Sequence, residues 1–320
     1  MNIEDINIEK ELKIIFMGTP EFSVPVLDAL HKKYKVRAVV TQVDKPVGRK
    51  GIIKKTPVKE YAEDNTILVL QPEKIKDSVE EIIALEPDLI VTCAYGQILP
   101  KELLDYPAYG CINVHASLLP KLRGGAPIHR AILNDYKETG ITIMYMAEGM
   151  DDGDIISQSK IEITDLDTAS TLHDKLSELG SKLLIETLPS ILDGTSTRTP
   201  QDEKEVTFGL NIKRDDEKIS FSKTKRQIYN QIRGLNSWPG AYCMMDGKIL
   251  KIWNSRITDN YYPEKFDGEI TNIYLDGIGV KVSNGEIVIT ELQLEGKKKM
   301  LAPDFLNGLD KKSLIGKILN

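Results

Sequence analysis

The chain has 320 residues, a length that suits two domains, and its 41% apolar and 28% charged residues are ordinary for a soluble globular protein. No apolar run approaches the roughly 18–20 residues of a membrane span, and the acidic start MNIEDINIEKEL lacks a signal-peptide core, so a cytoplasmic protein with no membrane attachment is expected. Three cysteines (Cys93, Cys111, Cys243) show no CxxC pairing and the four histidines do not cluster with them, which predicts reduced thiols and no metal site.

The first 200 residues alternate between short apolar runs and helical patterns. LKIIFM (12–17) reads as a strand, followed by a Gly-Thr-Pro turn and VPVLDALHKK at helical spacing. KVRAVVTQ (35–42), DLIVTCA (88–94) and CINVHA (111–116) read as further strands, with TGITIMYM (139–146) and DIISQSKIEI (154–163) after them. A long helix is expected over 168–188, stopped by Pro189. Strands divided by helices predict an α/β fold with a doubly wound, mostly parallel sheet, Rossmann-like but without the G-x-G-x-x-G of a dinucleotide site. Residues 193–206 are polar, with Gly and Pro, and read as a linker. Beyond it, MMDGKILKIW, IYLDGIGVKV and VKVSNGEIVIT place Asp-Gly or Asn-Gly between alternating residues, a hairpin signal. A small OB-like β-barrel with one helix near 225–235 is expected there, because closure removes exposed edges. The reading is therefore two domains, 1–205 and 206–320. Charge divides the same way: 24 Lys and Arg against 34 Asp and Glu in 1–205, and 18 against 14 in 206–320. The net of −6 argues against a nucleic-acid partner, whereas the basic excess of the second part points toward one.

The stretch CINVHASLLPKLRGGAPIHRAI (111–132) carries the chemistry. Asn113 and His115 lie two apart on a predicted strand, hence on one face, at the C-terminal end where open α/β sheets place their ligand crevice. Asp151 follows in the loop GMDDGD after a later strand. An amide, an imidazole and a carboxylate meeting there would supply an oxyanion donor, a proton carrier and an orienting charge. On their own the three also fit structural roles in a strand and a turn. Ser117 as a nucleophile is awkward so close to His115, and His129 and His173 read as structural.

N-x-H-x-S-L-L-P followed at this distance by an Asp in a Gly-containing loop resembles the folate-dependent formyltransferases. FMGTPEFS, TQVDKPVGR, VTCAYGQILP, RGGAP, TGITIMYM, IRGLNSWPGAY and ELQLEGKKKM resemble the branch that acts on methionyl-tRNA, across nearly the whole chain. The resemblance implies an enzyme that moves the formyl group of 10-formyltetrahydrofolate to the α-amino group of methionyl-initiator tRNA, with Asn113, His115 and Asp151 catalytic and no metal. Folate binding is expected at Ser117, Leu118, Leu119 and Pro120 and at Gln97, Ile98 and Leu99, the last two lining an apolar slot; these also fit core residues before helix-start prolines. The segment 41–59 has six basic residues and one acid, which composition reads as a basic, mobile loop. The resemblance implies that it reads the acceptor stem, through Arg49 with Lys45 and Lys50. The basic residues of 213–233 and Lys297, Lys298 and Lys299 would form a less specific second patch. A monomer is the expected state. A formyltransferase acting on a small amine, a silent RNA-binding protein and a formyl-folate hydrolase are the competing readings.

Overall fold

The structure, a computed structural model, describes residues 12–47 and 51–320. In chain order β1 (Ile14–Gly18) is followed by α1 (Val24–Tyr34), β2 (Ala38–Val40), β3 (Lys45–Val47), β4 (Ile52–Lys54), α2 (Pro57–Asp64), β5 (Leu68–Leu70) and α3 (Val79–Ile83). Then come β6 (Leu89–Cys93), α4 (Lys101–Asp105), β7 (Cys111–His115), α5 (Pro127–Leu133), β8 (Glu138–Tyr145), β9 (Ile155–Glu162) and α6 (Ala169–Leu192).

Seven of these strands form one sheet in the order β5-β2-β1-β6-β7-β8-β9. The first five are mutually parallel, and β8 runs antiparallel to β7. Every residue of β1 and β6 is buried, as expected for central strands covered on both faces. From β1 the chain steps outward to β2 and β5, then returns to the other side of β1 with β6 and β7. The β1–β6 boundary is therefore the topological switch point, and sheets of this kind bind their ligands beyond the carboxyl ends of the strands there. Gly18 ends β1 there: an added Cβ would lie 2.9 Å from the Cys93 carbonyl oxygen and 2.9 Å from Ser23 Cβ. The glycine after β1 thus serves close packing of two strand ends, and Ser23 Oγ donates to the same Cys93 carbonyl at 2.6 Å.

Two local expectations are corrected. Pro189 does not stop α6, which continues to Leu192. A proline so near the end removes only one of the helix's last hydrogen bonds, while buried Leu188 and Ile191 hold the final turn down and the Pro189 carbonyl accepts from Asp193 N at 3.0 Å. The 41–59 segment is not an irregular loop throughout: β3 and β4 pair as an antiparallel hairpin, with Lys45 opposite Lys54.

The rest of the chain gives α7 (Arg214–Glu217), α8 (Lys225–Gly234), β10 (Ala241–Met245), β11 (Lys248–Ile257), β12 (Ile270–Ile273), β13 (Ile278–Val282), β14 (Gly285–Leu294), β15 (Met300–Leu301), α9 (Ala302–Leu306) and α10 (Lys311–Leu314). Thr224 starts α8 with a capping box, accepting from Gln227 N while Gln227 Oε1 accepts from Thr224 N. The antiparallel sheet has the order β10-β11-β14-β13-β12, with β15 on β14. Asp246 and Gly247, both at positive φ, make the two-residue turn between β10 and β11 that the Asp-Gly pair signals. Irregular register around Asn254 bends β11. The two edges, β10 and β12, are joined by residues 317–320. Met244 and Asn320 exchange both backbone bonds (2.6 and 3.0 Å), Ile270 N donates to the Lys317 carbonyl at 2.8 Å, and Leu319 N to the Gly268 carbonyl at 2.9 Å. This segment closes the sheet into a barrel around Ile228, Ile232, Ile252, Val280, Ile289 and Leu319.

The chain packs as two compact units, each discontinuous in sequence. One takes residues up to Arg123 with Gly140–Lys160 and Lys175–Val206; the other takes Gly124–Thr139, Ile161–Asp174 and Thr207–Asn320.

Candidate active site

β7 delivers the first two site residues. Its period of two puts Asn113 and His115 on one face, and Thr92 of β6 lies opposite Asn113 in the parallel ladder. Asp151 comes from the loop between β8 and β9. Glycine shapes that loop: a Cβ on Gly153 would fall 1.9 Å from the Tyr145 carbonyl oxygen, so only glycine lets it press against the end of β8. Asp151 itself holds left-handed backbone, φ 53°.

The three side chains converge. Asp151 Oδ1 lies 3.5 Å from Asn113 Nδ2, and Oδ2 lies 3.7 Å from His115 Nδ1. Both distances exceed a well-formed hydrogen bond of roughly 2.7–3.2 Å.

Two partners that sequence reasoning missed fix the orientations. Thr92 Oγ1 donates to Asn113 Oδ1 at 2.9 Å, which turns the amide N–H donors toward Asp151. His115 is 6% exposed, and its Nε2 lies 3.1 Å from the Leu122 carbonyl oxygen. A carbonyl only accepts, so Nε2 carries a proton and Nδ1 is the nitrogen facing Asp151. Thr92 sits on a neighbouring strand with no local signal beyond its alternation. Leu122 acts through its backbone, to which side-chain identity gives no clue.

The structure scatters the expected folate residues over different jobs. Ser117 is buried and its Oγ donates to the Lys121 carbonyl at 2.6 Å, so its hydroxyl shapes the turn. Thr142 Oγ1 donates to the Ser117 carbonyl at 2.7 Å and accepts from Leu119 N at 3.1 Å; Gln158 Nε2 donates to the Leu119 carbonyl at 2.9 Å. The 117–120 loop is thereby held in one shape, with Leu119 buried and Leu118 and Pro120 half-buried. Ile98 and Leu99 do not line one slot: Ile98 is 72% exposed, whereas Leu99 belongs to the core with Ile15, Met17 and Leu103. Adjacent residues here face opposite ways. Gln97 Oε1 accepts from Ile75 N at 2.7 Å, tying two loops together.

Of the expected tRNA residues, Lys45 is exposed on β3, and Arg49 and Lys50 lie outside the described residues. Lys59 is committed to Asp44 (2.6 Å) and Gln71 (2.7 Å), and Lys55 to Glu63. Part of the second basic patch pairs internally, while Lys213, Lys218, Lys297 and Lys298 are exposed. Arg233 is buried and donates to the Thr164 and Asp167 carbonyls, Arg226 pairs with Asp135 and Asp165, and Lys225 reaches the Thr258 carbonyl. Among the described residues no group of three His, Cys, Asp or Glu is placed to hold a metal ion, and no helix is long and apolar enough to cross a membrane.

Comparison with known proteins places this geometry in context. A family profile described as "Formyl transferase" matches residues 12–188, and one described as "Formyl transferase, C-terminal domain" matches 211–310. A methionyl-tRNA formyltransferase of Bacillus licheniformis is 53% identical over 300 residues, covering 92% of this chain and 95% of the relative. Among solved structures, an N-formyltransferase from Helicobacter canadensis, in complex with folinic acid and dTDP-3-aminofucose, aligns with a TM-score of 0.65 at 23% identity, over 87% of this chain and 98% of that one. HypX from Aquifex aeolicus, in complex with tetrahydrofolic acid, aligns with a TM-score of 0.61 at 16% identity over 93% of this chain, which spans about half (47%) of that protein. These two structural likenesses speak for the fold.

Proposed function

The chain belongs to the methionyl-tRNA formyltransferase family, and we propose that Asn113, His115 and Asp151 are where it transfers the formyl group of 10-formyltetrahydrofolate to the α-amino group of methionyl-initiator tRNA. The observation that carries the assignment is the convergence of these three groups at the carboxyl edge of β7, with Asp151 3.5 Å from Asn113 and 3.7 Å from His115. Their donors suit an oxyanion and their acceptor suits a departing proton.

The substrate amine is a nucleophile with an intrinsic pKa near roughly 8, so much of it is neutral at cellular pH. As it attacks the formyl carbon, negative charge gathers on the formyl oxygen. Asn113 Nδ2–H and a protonated His115 Nδ1 are the donors for that oxygen; each such donor in a water-poor site is worth roughly 3–4 kcal/mol. Asp151 takes the amine's proton, passing it on through water to the folate nitrogen as the old carbon–nitrogen bond breaks. A new amide forms and no oxidant or metal enters the balance. Thr92 and the Leu122 carbonyl keep the donors aimed.

The β3–β4 hairpin, with Lys45 and the neighbouring Arg49 and Lys50, is the proposed reader of the acceptor stem. A planar guanidinium with several donors suits base edges and phosphates better than an ammonium. The 117–120 loop and the exposed Ile98 are the proposed folate contacts; Leu99 supports from the core. The enzyme is proposed to act as a monomer, since all three reacting groups come from one chain. Mixing the protein with formyl-folate and charged initiator tRNA, and following formyl-methionine formation against formate release, tests the assignment. Transfer to the aminoacyl group supports it; release to water alone would make the protein a hydrolase.

A further inference from the structure

The polar segment 193–206 reads as a linker by composition, yet it is fixed along its path. Thr199 and Ile155 exchange both backbone bonds (2.8 and 2.9 Å), and Arg198 lies over the Tyr145 ring at 4.0 Å. Two residues on, the side chain of Gln201 makes three hydrogen bonds. Its Nε2 donates to the backbone carbonyls of Asp151 and Gly153, both at 2.8 Å, and its Oε1 accepts from Arg123 Nε at 3.0 Å. Two acceptors on one side and a donor on the other leave no ambiguity about which end of the amide is which.

We propose that Gln201 is a positioning residue for Asp151, braced from behind by Arg123. It rests on the reading of Asp151 as a catalytic carboxylate. Asp151 sits in left-handed backbone, a region that residues other than glycine populate sparsely and Asp more readily than most. Gln201 straddles the turn and pins the carbonyl on each side of Asp152, so the Asp151 Cα–Cβ vector is set from outside the loop. Arg123 is 5% exposed and also donates to Glu203 Oε1 at 2.8 Å, which anchors the same segment a second time. The residue before Arg123 is Leu122, itself at φ 62°, whose carbonyl accepts from His115 Nε2. One stretch of chain therefore sets His115 through a backbone oxygen and Asp151 through Gln201. Their 3.7 Å separation is governed by that shared frame. Gln201 touches no reacting atom; it acts through the loop backbone.

Gln201→Glu is the discriminating variant. It keeps the length of the side chain and the acceptor for Arg123, but sets a carboxylate oxygen against two carbonyl oxygens in place of the amide donor. Misplacing a catalytic group by about 1 Å costs on the order of 100-fold in rate, so kcat is expected to fall about 10- to 100-fold, with KM for formyl-folate and for tRNA changed by no more than about threefold. In an Asp151→Ala background the same substitution should cost less than about twofold, because a brace has nothing left to aim. A structural role would lower both backgrounds alike. Should Gln201→Glu not fold, Gln201→Ala, which adds no charge, is measured in the same two backgrounds. Unchanged kcat, or an equal loss with and without Asp151, overturns the proposal. Near-normal turnover of Asp151→Ala itself removes the catalytic reading and the brace with it; a crippled Asp151→Ala beside a normal Gln201→Glu removes the brace alone.

Discussion

Two polar clusters, one in each compact unit, differ in burial and in the lengths of their internal contacts. At the edge of β7 the Asp151 carboxylate faces an amide and an imidazole at 3.5 and 3.7 Å. In the barrel the fully buried Glu286 carboxylate accepts from Tyr274 OH at 2.8 Å, Thr258 Oγ1 at 2.9 Å and Asn260 Nδ2 at 3.1 Å, with Thr271 Oγ1 on its other oxygen. A saturated cluster holds a fold together and has nothing to offer a ligand. A half-buried cluster whose internal contacts are long has donors within reach of charge that arrives during reaction. The same contrast applies to basic residues. Some of those in the barrel unit pair internally, Arg226 with Asp135 and Asp165, Arg256 with Asp276 and Arg233 with backbone carbonyls, while Lys213, Lys218, Lys297 and Lys298 stand exposed, as Lys45 does on its hairpin.

If the open cluster is the working one, breaking it should cost turnover and little else. His115→Ala is expected to lower kcat by about 100-fold or more with tRNA affinity nearly intact, since it removes an interaction made in the transition state. Asn113→Ala should behave similarly. Single-turnover formylation with saturating tRNA checks both, and near-normal rates in His115→Ala would sink the assignment.

Arg49→Ala extends the contrast to recognition. Loss of a multi-donor contact to a base edge or phosphate typically costs about 1–3 kcal/mol, or roughly 5- to 150-fold. The variant is therefore expected to lose about tenfold or more in its preference for initiator over elongator methionyl-tRNA, with folate KM unchanged. Equal discrimination by variant and parent would return the docking role to the barrel's lysines.

Glu286→Gln probes the saturated cluster. It turns one acceptor into a donor in front of hydroxyls that need acceptors, a mismatch worth about 1–3 kcal/mol. Thermal unfolding of the barrel unit should move down by several degrees, roughly 2–4 °C per kcal/mol in a unit of this size, while kcat stays at the parental value. A fall in kcat without a fall in unfolding temperature would mean that the two clusters are not so different.

What the sequence made legible follows from the range of the interactions. Apolar runs, strand alternation and Asp-Gly turns are local, so six of the seven sheet strands (all but the short edge strand β5), the β10–β11 hairpin and the common face of Asn113 and His115 could be read directly. Asp151 could be read as a carboxylate in a loop after a later strand, but its meeting with β7 leaned on resemblance, since nothing local links the two. The pieces that escaped are long-range. Thr92 meets Asn113 across a ladder, Gln201 meets Asp151 over 50 residues of chain, and 317–320 closes the barrel by pairing with both edges. Pro189 misled because a helix-breaking residue matters less where a helix is about to end. Leu99 misled because an apolar residue beside a crevice and an apolar residue beneath it have the same letter.

The smallest expected effect concerns the ion pairs of the barrel unit and depends on pH. Burial alone would raise the Asp135 carboxyl, but hydrogen bonds from Arg226, Asn230 and Lys137 outweigh it and hold the group well below the usual carboxylate range. A carboxyl whose folded pKa is depressed stabilises the fold above its unfolded value, near roughly 4, and loses that contribution as pH falls toward the folded value. Asp135→Asn should therefore unfold at a lower temperature than the parent at pH 7, by a modest margin because the carboxyl is 39% exposed and solvent screens its pairs. The margin should shrink steadily below about pH 4, where the parent's own carboxyl begins to take up its proton. Turnover at pH 7 should be unaltered, since Asp135 contacts none of the three reacting groups. A margin that stays constant down to pH 3 would show that the substitution acts through packing or the neutral bond to Asn230, and that the charge on Asp135 contributes nothing to stability.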